Sequence, residues 1–184
     1  MTTVVDICNG ALTQIGASTI TSLTDGSKNA DVCNARFGPV KDAVLRSHPW
    51  NCAVTRVKLT ATGNEPAFGF VKEFALPRNC LRVLQLSQQD IVHRVERDKI
   101  LCDESDIEVI YIADVSQANW DVLLIEAVTA ALAADICYAI VGSTTLADYY
   151  RGIYQEKLKE ARFVDATEGS VTSLESDIFI QSRF

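Results

Sequence analysis

Apolar positions recur with helical spacing along the first quarter of the chain. Val4, Cys8, Ala11, Leu12 and Ile15 fall on one face of a helix over residues 4–15. Thr3, followed three residues later by Asp6, reads as a capping-box-like start, and Gly16 as the stop. After a turn-rich link, Ser27 is the N-cap of a second helix whose stripe is Cys33, Phe37, Val40 and Val44. Pro39 cannot donate to the carbonyl of Ala35, so the pattern predicts a kink or short break at Gly38-Pro39. His48-Pro49 ends the helix, because a residue before proline is pushed out of the helical region.

From Trp50 the period becomes twofold. Ala53, Val57 and Leu59 alternate with Arg56 and Lys58, which predicts a half-buried strand. Phe68, Phe70 and Phe74 stand on one side of an extended segment and read as sheet core. Residues 81–86 form a further strand, and residues 91–97 and 100–102 a hairpin turning at Asp98-Lys99. Residues 107–113 are β-branched and apolar on both sides, so they predict a central strand.

Helical spacing returns after Asp114. An apolar helix over residues 119–141 stops at Gly142, and Ser143 caps a helix over residues 144–166 with Leu146, Tyr150, Ile153, Tyr154, Leu158 and Ala161 inward. Residues 122–141 are long enough to span a bilayer. They carry Glu126 and Asp135 without a flanking basic cluster, so they read as a buried helix whose outer face meets a neighbouring subunit. Residues 169–184 lack helical grammar and end in an apolar arm with Ile178, Phe179, Ile180 and Phe184. Large apolar side chains left in water cost about 1.5–3 kcal/mol each, so the arm calls for a groove on its own domain or on a partner.

The expected fold class is α+β. Two N-terminal and two C-terminal helices form a four-helix bundle (residues 1–49 and 114–168). A small, mostly antiparallel sheet is inserted between them (residues 50–113), and an extended C-terminal arm follows (residues 169–184). At 184 residues the chain suffices for one domain with an insert. Seventeen basic against twenty-four acidic residues give a net charge of −7, which argues against a duplex-DNA grip built on a basic face.

Catalytic grammar is sparse. The six cysteines contain no CxxC pair, and the N-terminus has no basic region followed by an apolar core, so reduced buried thiols in a cytoplasmic setting are expected. His48 lies four residues before Cys52, but Pro49 intervenes, so His48 reads as a helix end. His93 with Cys80 and Cys102 is the one three-ligand metal candidate, and it lacks close ligand pairs. Asp103-Glu104-Ser105-Asp106 lacks the spaced ligands of a calcium loop and reads as a solvated turn. No catalytic, cofactor-binding or metal residue is assigned.

The stretches ICNGALTQIGASTITSLTDGSKNADVCNARF, LRSHPWNCAVTRVKL, FALPRNCLRVL, DIEVIYIADVSQANWDVLLIEAVTAALAADICYAI and LESDIFIQSRF follow one another along the chain. Their order, from about Val5 to Arg183, resembles the tail tubular protein A family, the head-to-tail connectors (adaptors) of tailed bacteriophages and prophages. His48-Pro49-Trp50-Asn51, followed by Leu76-Pro77 and Cys80-Leu81-Arg82-Val83, is its most specific piece. The resemblance implies a structural virion protein of the tail or neck, present in the host cytoplasm during assembly. Such a protein forms a ring, normally dodecameric and in some cases monomeric before assembly, beneath the portal protein. It extends the DNA channel, lets genomic DNA pass without specific binding, and presents a platform to the tail nozzle or next tail component. No membrane, cofactor or catalysis is implied. Carried over by position, Ile178, Phe179, Ile180 and Arg183 are docking residues for the portal or a neighbouring copy. The alternatives are another tail-completion or neck (stopper) protein, or a small cytosolic metal or thiol enzyme using His93, Cys80 and Cys102.

Overall fold

The computed structural model describes residues 2–88 and 90–168. Helix α1 (Val4–Gln14) opens with the expected capping box, in which Thr3 and Asp6 satisfy each other's backbone N–H groups. Helix α2 (Lys28–Arg46) starts on Ser27, whose hydroxyl accepts from the Ala30 N–H at 3.2 Å. The expected break at Gly38-Pro39 is absent: α2 stays helical through both residues. Ala35 and Pro39 both lie on its exposed side, so the carbonyl that loses its donor belongs to the side of the helix open to water. Phe37 and Val40, on the buried side, hold the helix to the core.

The β region contains two three-stranded antiparallel sheets where one was expected. In the first, β1 (Val54–Thr60) and β3 (Cys80–Leu86) flank β6 (Asp106–Ala113), so the predicted central strand is central. Its register with β1 pairs Val54 with Ile112 and Leu59 with Ile107. Only the last part of β6 is covered on both faces, for Asp106 and Glu108 are exposed while Tyr111, Ile112 and Ala113 are buried. In the second sheet, β5 (Lys99–Cys102) lies between β2 (Lys72–Ala75) and β4 (Arg94–Glu96). Phe74 faces Ile100 across that sheet and is fully buried, whereas Phe68 lies outside any strand and is 88% exposed. The three phenylalanines therefore do not form one core row.

A short 3-10 turn (Gln117–Asn119) precedes α3 (Val122–Val141), which begins three residues later than expected, on the Asp121 cap. Gly142 adopts φ 76°, the left-handed stop that glycine takes without steric cost, and Ser143 caps α4 (Thr144–Thr167). Helix α3 packs against α1, α2 and α4. Leu124, Val128, Leu132 and Ile136 are buried among them, so the covered part of α3 meets helices of the same chain, while Val122, Tyr138 and Val141 stay exposed. It is long and apolar enough to cross a membrane, and just over half of its most apolar window is buried inside the protein. Its two acids have cationic partners: Arg36 grips Asp135 with two bonds of 2.6 and 2.9 Å, and Lys157 reaches Glu126 at 2.9 Å.

Two cores result. One joins the helices to Trp50, Ala53 and Ile112, and the other joins Phe74, Ile100 and Cys102 to Leu86, Ile107, Val109 and Tyr111. Alternation along β6 explains the division. Ile107, Val109 and Tyr111 point toward the second sheet, and Ile112 points toward the helices.

Candidate interaction surface

The predicted docking residues Ile178, Phe179, Ile180 and Arg183 lie outside the described residues. The last described residue is Glu168, just past α4. The His48-Pro49-Trp50-Asn51 motif forms a junction between the end of α2 and the last turns of α4. His48 Nε2 donates to Asp165 Oδ2 at 3.1 Å. The Asn51 backbone N–H donates to Asp165 Oδ1 at 2.9 Å, and its side-chain amide donates to the Asp165 carbonyl at 2.6 Å. One turn earlier, Arg162 Nη2 donates to the Ser47 carbonyl and hydroxyl at 3.2 and 2.9 Å. Trp50 is buried beneath, its indole N–H donating to the Val44 carbonyl at 3.1 Å and its ring meeting the edge of His48 at 4.7 Å.

His48 is thus engaged by Asp165. Burial pushes the Cys52 thiol up, away from the thiolate a nucleophile requires. His93 is exposed on the stretch before β4, its Nδ1 donating to the Ile91 carbonyl at 3.0 Å. Cys80 lies on β3 and Cys102 on β5, each with its thiol pushed up by burial. Among the described residues no group of three or more His, Cys, Asp or Glu side chains is placed to hold a metal ion. Asp103 ties a loop: its Oδ1 accepts the Val71 N–H at 2.8 Å.

The arginine groove beside that junction was missed in the sequence. A cavity of about 420 Å³ opens between the end of α2, strand β3 and the β4–β5 hairpin. Arg46, Arg82 and Arg97 line it, over apolar walls that include Leu76, Val83 and Val95. Arg46 Nη1 donates to the Leu81 carbonyl, and Arg82 Nη1 donates to the Arg46 carbonyl at 3.2 Å, so two of the guanidinium groups are held in place by backbone. None of the three arginines forms an ion pair among the described residues. Positions 46, 82 and 97 make no basic run, and only the fold brings them together. A second groove, of about 310 Å³, lies between α2, α3 and α4 over Ala43, Ala131 and Ala134.

No protein-family model matches this chain, and no curated protein sequence matches it.

Proposed function

We propose that the chain is a structural connector of the head-to-tail kind. It would pack as a ring beneath a phage portal, extend the DNA channel and offer its far side to the tail nozzle, acting by assembly and not by catalysis. In this reading α1 to α4 are a four-helix bundle through which neighbouring copies meet. Residues 50–113 are an inserted β domain, and residues 169–184 are a docking arm. Passing genomic DNA is not gripped, in keeping with the net charge of −7.

The observation that carries the proposal is the junction at His48-Pro49-Trp50-Asn51. The most specific piece of the family resemblance is also the piece that anchors the end of α4, from which the arm departs. A segment rich in large apolar side chains, following a hydrogen-bonded junction, suits a part that must be delivered to a partner. The test is to mix the full chain with its cognate portal ring and image the particles. The expected result is an added ring of density under the portal, lost when residues 169–184 are deleted. Absence of binding by the intact chain overturns the connector reading and favours a neck protein acting elsewhere along the tail.

A further inference from the structure

We propose that the arginine groove is the seat of this chain's own segment, residues 174–180 (LESDIFI), which occupies it before any partner is met. The argument is independent of the connector reading, because it rests on charge, reach and backbone conformation within one chain.

Charge comes first. In a protein of net charge −7, three arginines share one cavity with no carboxylate paired to them among the described residues. The neighbouring acids Glu96 and Asp98 line a different cavity, together with Glu73 and Lys99, and only Arg97 borders both. Guanidinium forks above apolar walls suit a ligand that carries carboxylates next to aliphatic or aromatic side chains. Residues 174–180 have that chemistry, with Glu175 and Asp177 leading directly into Ile178, Phe179 and Ile180. A phosphodiester would satisfy the arginines but leave Leu76, Val83 and Val95 without an apolar partner.

Reach comes next. Ser47, adjacent to Arg46, is bonded to Arg162 of α4, so α4 passes beside the groove. Glu168 lies six residues beyond Arg162, about 9 Å further along the helix axis. Residues 169–174 span up to about 20 Å when extended, enough to return and set Glu175 and Asp177 among the arginines.

Arg97 adds a third observation. It is the one non-glycine residue at positive φ among those described, at 55° in the two-residue turn between β4 and β5. Glycine takes that conformation freely, whereas a residue with a Cβ is strained there. The strain has a use if the guanidinium must stand at the mouth of the groove.

The experiment replaces Phe179 in the full chain with the photo-crosslinking p-benzoylphenylalanine and maps the products after irradiation at low micromolar concentration. Expected are crosslinks within single chains to peptides carrying residues 76–83 or 95–97. The double charge reversal Arg82→Glu and Arg97→Glu lowers their yield roughly three- to tenfold, and adding Glu175→Arg and Asp177→Arg restores it. The restoring variant separates a lost pairing from a lost fold. Crosslinks into the α2–α4 groove, crosslinks only between copies, or no crosslinks overturn the proposal. Transfer of the crosslinks to added duplex DNA overturns it as well.

Discussion

His48 and Asp165 stand 117 residues apart in the chain and meet at 3.1 Å, both side chains largely shielded from water. Asp165 also accepts the Asn51 N–H, so one carboxylate closes the end of α2 onto the end of α4. Asp165→Ala leaves the Asn51 N–H and the imidazole without their acceptor. A loss of about 2 kcal/mol in unfolding free energy is expected, of the size seen for hydrogen bonds to charged groups. Urea denaturation of the variant measures it, with Asp165→Asn losing less because its amide oxygen still accepts.

Gly10 faces Thr129 where α1 crosses α3. A Cβ at position 10 would lie 3.0 Å from Thr129 Cγ2. The Thr129 hydroxyl is bonded to the Ile125 carbonyl, which fixes the rotamer that presents the methyl. Gly10→Ala is expected to cost about 1 kcal/mol, because the crowding outweighs the gain in helix propensity. Thr129→Ser removes the methyl and keeps the hydroxyl, so the double variant should recover the loss in a thermal melt.

The carboxylate of Glu73 is buried on β2, where Lys99 Nζ donates to it at 2.8 and 2.9 Å and the side chains of Asn64 and Thr62 donate as well. Lys99 above all holds its pKa below the ordinary value of 4.5. A depressed folded-state pKa contributes stability that is present above 4.5 and is lost as pH falls through the lower folded value. Unfolding midpoints measured from pH 7 down to 3 should drop below pH 4.5 in the wild type, and less steeply in Glu73→Gln. Asp6, held low by the Thr3 N–H, and Asp25, at about 2 through bonds led by the Ser27 hydroxyl, contribute in the same direction in both proteins.

Arg97→Gly relieves the left-handed backbone of the β4–β5 turn. Allowing for the greater unfolded-state entropy of glycine, a net gain of about 0.5–1 kcal/mol is expected in thermal or urea unfolding. A loss of stability would mean that the side chain makes stronger contacts than strain alone suggests.

Much of the helical part was legible because its signals are local. Thr3 with Asp6, Ser27, Gly142 and Ser143 each act on backbone groups within four residues, and all stand where the sequence placed them. Pro39 does not break α2, because it stands on the exposed side while Phe37 and Val40 hold the opposite side on the core. The second sheet was hidden for a separate reason. Which strand β5 joins depends on β2, some thirty residues away, and a period of two in the sequence does not name a partner. Helix α3 carries more apolar surface than one stripe because three helices of its own chain pack on it, and Val122, Tyr138 and Val141 stay exposed, so its composition does not tell which part its own chain covers. The arginine groove draws on three separate elements, and no window of sequence contains it.

The free cysteines give the protein two built-in clocks. Cys8, Cys33 and Cys137 are shut inside the helical core, while Cys102 is shut inside the sheet core. A thiol reagent can reach each only when the layer around it opens, so pulse labelling read by mass spectrometry would time the two openings separately. Equal rates would mean that the layers come apart as one cooperative unit. Faster labelling of Cys102 would mean that the sheets breathe while the helices stay closed.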